Sequence, residues 1–216
     1  MILGISGSPR KDGVTANAVK KILEESGMES EYISLSGKKI NGCISCLGCV
    51  ENNKCIVNDD FIEIAEAMER ADIIVMGMPN YYNIMNGLSH AVLERCYCFR
   101  HREKFILQDK GFVLFSVEYN NTVNSNVLSA AKVFVESNKC NIIDEFTLDA
   151  VSQCYTCKEG HNCKVGKVVR EHGVVDKITD EIRPKEFCNN RISISRTDEA
   201  IKKIKEYTKK SKNLKG

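Results

Sequence analysis

The sequence has almost no net charge, no long apolar run and no leader-like start, and each absence narrows what the chain does. Lys and Arg number 31 against 29 Asp and Glu, a formal charge of +2 over 216 residues. A chain this close to neutral has no electrostatic footprint for nucleic acid or an anionic membrane. No stretch stays apolar for the roughly 20 residues that a bilayer-spanning helix needs. Met1 leads directly into Ile2-Leu3-Gly4-Ile5-Ser6, without the basic region and cleavage site of a secretory leader. The expected location is therefore the cytoplasm, with no nucleic-acid and no membrane partner. The first loop, Gly7-Ser8-Pro9-Arg10-Lys11-Asp12-Gly13, is neither G-x-G-x-x-G nor a Walker loop ending in Gly-Lys-Ser/Thr, so it does not announce a dinucleotide or a nucleoside triphosphate. No internal repeat or low-complexity segment stands out.

Cysteine, by contrast, is abundant. There are 11, an odd number. In a reducing compartment thiols stay unpaired, so clustered cysteines point to metal or redox chemistry before disulfides. Four of them fall in one run, Gly42-Cys43-Ile44-Ser45-Cys46-Leu47-Gly48-Cys49, closed by Cys55, at spacing C-x2-C-x2-C-x5-C. The two short gaps let three sulfurs converge from a tight turn, and the longer gap lets the chain wrap round for the fourth. Gly42 and Gly48 are expected to supply backbone freedom there. The spacing suits a cuboidal [4Fe–4S] cluster and resembles the bacterial ferredoxin run. Zinc sites usually pair two C-x2-C knuckles across a long segment, so zinc and a metal-free set of thiols remain open as alternatives.

The rest of the chain alternates strand and helix. Ile2–Ser6, Glu31–Leu35, Asp72–Gly77, Gly111–Ser116 and Asn141–Leu148 read as strands, some as continuous apolar runs suited to a sheet covered on both faces. Helices are expected after Thr15, from Phe61, after Gly87, over Val127–Val135 and near Asp198–Lys209. Five strands in this rhythm make a doubly wound parallel α/β sheet, with ligands beyond the strands' carboxyl ends. The 216 residues read as one domain, with a cysteine-rich loop at 36–57 after the second strand and an insertion at 149–196 after the fifth. The first loop, between a buried strand and a helix, makes an anion site from free helix amides, the helix dipole and the hydroxyls of Ser6, Ser8 and Thr15, with charge from Arg10. Its shortness suits a single phosphate monoester, as in FMN. Met78-Pro79-Asn80-Tyr81-Tyr82-Asn83 is expected as a loop whose tyrosines flank a planar ligand or pack in a core or subunit interface. Cys96 and Cys98, two apart on a helix, are poor partners for one metal. In the insertion, Cys154, Cys157, His161 and Cys163 are metal-ligand types without a visible complete set, with Cys140 or Cys188 as candidate additions.

At these residues a family resemblance enters. Gly4-Ile5-Ser6-Gly7-Ser8-Pro9-Arg10 with Thr15 resembles the FMN-phosphate loop of the NADPH-dependent FMN reductase family. Pro79-x-Tyr81, followed by Glu94-Arg95 at the helix end, is similar to its second flavin loop and following helix. The cysteine run is similar to that of the iron–sulfur flavoproteins of anaerobic archaea and bacteria. The resemblance implies a flavodoxin-like fold, FMN, a [4Fe–4S] cluster, electron exchange with ferredoxin or a similar carrier, and a homodimer or homotetramer. Carried over by residue, the phosphate contacts would be Ser6, Ser8, Pro9, Arg10, Val14 and Thr15. The ring contacts would be Pro79, Asn80, Tyr81 and Tyr82, with a third contact at the loop after Ser116. The cluster ligands would be Cys43, Cys46, Cys49 and Cys55. Asn83 stands where many relatives have Gly, and the loop after Ser116 lacks the usual glycines. No side chain is expected to act as nucleophile or base. Three functions follow: an electron relay through FMN and a cluster, an NAD(P)H-dependent FMN or quinone reductase with structural cysteines, or a zinc- or thiol-based redox-sensing module.

Overall fold

Three strands are apolar along most of their length, and these form the centre of the sheet. The computed structural model describes residues 1–119 and 126–213, with side chains as far as 211; Asn120 and Asn121, expected in the loop after Ser116, lie outside the described residues. The elements are β1 (Ile2–Ser6), α1 (Val14–Ser26), β2 (Ser30–Ser34), α2 (Phe61–Arg70), β3 (Ile73–Tyr81), β4 (Ile84–Met85), α3 (Gly87–Arg95), β5 (Gly111–Glu118), α4 (Asn126–Ser137), β6 (Asn141–Asp149), α5 (Lys167–His172) and α6 (Arg191–Asn213). The parallel strands lie in the order β2-β1-β3-β5-β6, and β4 pairs antiparallel with the end of β3. Counted without β4 this is 2-1-3-4-5, the flavodoxin-like order, whose switch point lies between β1 and β3.

Alternating strand residues feed two cores. Leu3, Ile5, Ile74 and Met76 pack under α2, α3 and α4 with Phe61, Ile64, Val92 and Val135. Ile2, Ile73, Val75 and Val113 pack under α1 and α6 with Val19, Ile22, Ala200 and Ile204. Each large aliphatic side chain buried this way contributes about 1.5–3 kcal/mol. Gly4 sets how closely α1 approaches, since a Cβ there would stand 2.5 Å from Val19 Cγ1.

Three expectations about local structure change. Strand β3 runs on to Tyr81, so Pro79, Asn80 and Tyr81 are strand and the expected loop is a hairpin. Its two connecting residues, Tyr82 (φ 55°) and Asn83 (φ 68°), are both left-handed, as a two-residue type I′ turn requires. The usual Asn-Gly signal is missing, which hid the turn. Helix α6 begins at Arg191 rather than near Asp198. Its first buried positions are Ser193 and Thr197, and Thr197 Oγ1 satisfies itself by donating to the Ser193 carbonyl at 3.0 Å, so no apolar stripe marks them. Cys96 and Cys98 lie on a short 3-10 turn after α3, both buried. Among the described residues, no helix is long and apolar enough to cross a membrane.

Candidate functional site

The first loop leaves the carboxyl end of β1 and enters α1. Ser6, Ser8 and Thr15 are buried, while Pro9 and Arg10 face solvent. Ser6 Oγ is buried with no hydrogen-bond partner among the described residues. Helix α1 follows Gly13, and no side chain caps it. The amides of its first turn therefore lack both intrahelical acceptors and a cap. A buried unmet hydroxyl beside free amides fits a phosphate monoester. The loop is fastened on its far side. Gly7 N donates to the Gly77 carbonyl at 2.8 Å, and Asn86 Nδ2, just before α3, donates to the Gly7 carbonyl at 2.8 Å. A Cβ on Gly7 would meet Ser89 Oγ of α3 at 2.0 Å.

The ring-contact candidates are less drawn together. Pro79 is buried, Asn80 is half-buried, and Tyr81 and Tyr82 stand exposed on the hairpin. Ser116 lies inside β5, buried, with Oγ donating to Thr147 Oγ1 at 3.3 Å, and the strand continues past it through Val117 and Glu118, where the loop was expected to begin. The edge beyond it holds Glu118 and Tyr119, in the stretch that lacks the family's usual glycines. Glu118 is buried with neither carboxylate oxygen hydrogen-bonded among the described residues. An acidic residue ending the apolar run Gly111–Val117 was the available signal. The Tyr119 phenol is pushed well above its ordinary value, first by burial and then by Cys154, Tyr155 and Glu171, with Arg10 opposing.

The four clustered cysteines line one cavity of about 420 Å³, together with Arg95 and Cys98. Cys43 and Cys46 are exposed, Cys49 and Cys55 half-buried. Among the described residues, no three His, Cys, Asp or Glu side chains meet closely enough for a single metal ion. Four thiols around one cavity are the donor set that an iron–sulfur cluster requires. The curl of the loop comes from Ser45 (φ 53°) and Leu47 (φ 59°), not from its glycines. Gly42 and Gly48 instead permit close approach: a Cβ on Gly48 would stand 2.2 Å from Ile56 Cδ1, and one on Gly42 2.7 Å from Glu94 Oε2.

The end of α3 holds this loop. Arg95 uses all five of its N–H donors: Nε to Cys55 Sγ (3.2 Å), Nη1 to the Asn41 carbonyl (3.1 Å) and Asp59 Oδ2 (2.7 Å), Nη2 to the Val57 carbonyl (3.1 Å) and Asp59 Oδ1 (3.1 Å). Its guanidinium also sits 4.7 Å from the centre of the Phe61 ring. Glu94 Oε2 accepts from the Cys43 amide at 3.3 Å. Both stems of the loop are tied to one helix turn, and the opposite end of that helix holds Gly7. Two sulfurs have polar neighbours, Cys55 through Arg95 and Cys49 through His101 Nε2 at 3.0 Å. Burial pushes the Cys49 thiol up; a backbone hydrogen bond opposes, and Cys55, Cys46 and Cys43 add to the rise. Cys98 is pushed up to about 12, mainly by burial, so it lines the cavity as a neutral thiol.

The sequence profile of the NADPH-dependent FMN reductases matches residues 1–151, which span the first loop, the cysteine loop and all of the sheet. The chain belongs to the NADPH-dependent FMN reductase family. Iron–sulfur flavoproteins are among its similar proteins. One from Methanocaldococcus jannaschii is 40% identical over 97 residues, 44% of this chain and 50% of that one. One from Methanosarcina thermophila is 33% identical over 119 residues, 54% of this chain and 62% of that one. The chain spans about half the length of the first of these relatives. Among solved structures, a flavone reductase superposes with a TM-score of 0.55 at 21% identity, covering 68% of this chain and 53% of that one. An NADH:FMN oxidoreductase in its apo form gives 0.51 at 16% identity, covering 95% and 88%. At these identities the structural likeness speaks for the fold.

The NADPH-dependent FMN reductase match stops at residue 151, so Cys154, Cys157, His161 and Cys163 lie outside it. The Cys154 thiol is lowered, chiefly by hydrogen bonds from Ser152 and from the Lys167 amide, with burial opposing. Cys157 and Cys188 are exposed, and Cys140 is engaged elsewhere, donating to the Leu107 carbonyl at 3.0 Å.

Proposed function

We propose that this member of the NADPH-dependent FMN reductase family is a flavin-dependent oxidoreductase that relays electrons between a one-electron carrier, such as ferredoxin, and an acceptor. FMN would be held by Ser6, Ser8, Pro9, Arg10, Val14 and Thr15 at its phosphate, and by Pro79, Asn80, Tyr81 and Tyr82 at its ring. A [4Fe–4S] cluster would be held by Cys43, Cys46, Cys49 and Cys55. The observation that carries this reading is the four-thiol cavity joined through α3 to the loop with the unmet Ser6 hydroxyl. The two cofactors together would supply conversion between one- and two-electron transfer.

The chain's own residues bind and tune. Arg95 and His101 place polar groups on Cys55 and Cys49, and hydrogen bonds to ligand sulfurs are what set cluster potentials. Buried Cys98 lines the cavity's inner side. The exposed apolar rim of Ile44, Leu47 and Ile56 supports an electron carrier, or a neighbouring subunit of a homodimer or homotetramer, against the cavity mouth. One FMN per chain is expected after anaerobic purification. Cys43→Ser/Cys46→Ser should lower the iron content by about four per chain with FMN retained. An unchanged iron count in that variant refutes the cluster assignment. The family description favours one rival, an NAD(P)H-dependent FMN or quinone reductase with structural cysteines. Hydride transfer unaffected by Cys49→Ser would select it.

A further inference from the structure

The spacing that closes the first thiol set occurs a second time. Cys46-x2-Cys49-x5-Cys55 is repeated as Cys154-x2-Cys157-x5-Cys163, and the two ten-residue stretches also share an acid after the second cysteine, at Glu51 and Glu159. The repeat is too short to show as an internal duplication, which is why the chain reads as free of repeats. We propose that Cys154, Cys157 and Cys163, with His161, form a second thiolate site that holds its own iron–sulfur cluster.

The insertion is built to hold these groups in place although it has little regular structure. Cys154 Sγ accepts from the Lys167 amide at 3.3 Å, and Cys163 Sγ lies 3.3 Å from where a Cβ on Gly166 would stand. Both sulfurs therefore come to the same Gly166–Lys167 peptide. Cys157 Sγ is turned back to 3.8 Å from the Cys154 carbonyl. Gly160 crosses that carbonyl so closely that a Cβ there would stand 1.7 Å from its oxygen, so the loop closes on glycine alone. Between the first two cysteines, Tyr155 is buried and donates to Glu171 Oε2 at 2.7 Å, which anchors the loop to α5. Ser152 Oγ accepts from the Cys154 amide, and the His161 carbonyl accepts from the Val175 amide, each at 3.0 Å.

His161 is prepared as a ligand. Its Nδ1 sits 3.2 Å from the Lys158 carbonyl, an acceptor that only an N–H can satisfy. An Nδ1–H donating there, with Nε2 as the ligand atom, is the arrangement that metal-bound histidines use. The set offers three thiols and one imidazole, four donors at the spacing of the first set. The site also lies on the carboxyl edge of the sheet: Lys167 Nζ, at the start of α5, stands 3.7 Å from the centre of the Tyr119 ring at the end of β5.

Iron and acid-labile sulfide counts on the full chain, purified anaerobically or reconstituted with ferrous iron and sulfide, decide the matter. Two cubane clusters give about eight irons per chain. Cys154→Ser/Cys157→Ser/Cys163→Ser should lose half the iron, and so should Cys43→Ser/Cys46→Ser, with FMN content reporting in each case that the sheet is folded. His161→Ala should leave the iron count unchanged while altering the electron paramagnetic resonance signal of the reduced second cluster, recorded in the Cys43→Ser/Cys46→Ser background. Zinc instead of iron at the 154–163 set, or a triple variant with the full wild-type iron count, overturns the proposal and leaves the first cluster assignment standing. Iron surviving in Cys43→Ser/Cys46→Ser but absent from the triple variant would overturn the first assignment and leave this one.

Discussion

Arg95 meets Asp59 in a two-pronged ion pair, at 2.7 and 3.1 Å, with both side chains buried where the thiol loop rejoins α2. The same guanidinium reaches Asn41 on the other stem and Cys55 between them. A loop whose cysteines are exposed or half-buried is therefore joined at both stems by one guanidinium.

Arg95→Met should leave Asp59 as an unpaired buried charge. A loss of roughly 3–5 kcal/mol in urea unfolding is expected, with iron lost from the first thiol set. Arg95→Lys should restore little, because one ammonium cannot serve five acceptors in a fixed fork. A change below about 1 kcal/mol in the Met variant would show that the pair does not hold the loop.

Acid should open the same clamp. Burial alone would raise the Asp59 carboxyl, but hydrogen bonds from Arg95 and from the Asn41 and Phe61 amides outweigh it and hold the carboxyl below its ordinary value. The unfolded carboxyl takes up a proton first as pH falls, so the stabilisation is complete above the ordinary carboxylate range and disappears as pH drops through the lowered folded value. Unfolding free energies of the metal-free protein, measured between about pH 6 and pH 2, should fall more steeply for the wild type than for Asp59→Asn. Equal slopes would contradict the assignment.

Ser6→Ala tests the phosphate loop with little structural cost, because its hydroxyl has no partner to lose among the described residues. A hydrogen bond to a charged group contributes about 1.5–3 kcal/mol, so FMN should bind roughly 10- to 100-fold more weakly. The melting temperature of the flavin-free protein should hardly move. Fluorescence titration of FMN reads the first quantity and calorimetry the second; unchanged affinity would remove Ser6 from the site.

Thiol reactivity should divide the cysteines. Burial pushes Cys96 well up and Cys140 up to about 12, so both stay protonated and inert near neutral pH. Exposed Cys157 and Cys188 should be alkylated by iodoacetamide in the metal-free protein, and peptide mass spectrometry reads each site. Early labelling of Cys96 would mean that the 3-10 turn after α3 opens readily.

The sheet and the clustering of thiols in one loop were legible in the sequence because their signals are local. Ile73–Met76 declares a covered strand by composition, and the short gaps of Cys43–Cys55 place four thiols around one cavity. The contacts that hold the site were not, because they join distant residues. Glu94-Arg95 was recognisable as part of a helix end, but its partners at Asn41, Val57 and Asp59 lie 36 to 54 residues away. Ser193 and Thr197 hid the start of α6 by being polar and internally satisfied. Tyr82 and Asn83 hid a hairpin by adopting left-handed backbone without the glycine that advertises it.

Helix α3 also works as a gauge. One end rests on Gly7 through Asn86 and Ser89, the other grips the thiol loop through Glu94 and Arg95, and nine residues lie between Gly87 and Arg95 inclusive. At 1.5 Å per residue the two grips stand about 13 Å apart along the axis. One inserted residue would swing the guanidinium by about 100° and carry it off Asp59, while Asn86 kept its hold on Gly7. The distance between the first loop and the thiol loop is thus metered by the residue count of a single rod, which makes α3 a place where a change of length would part the two.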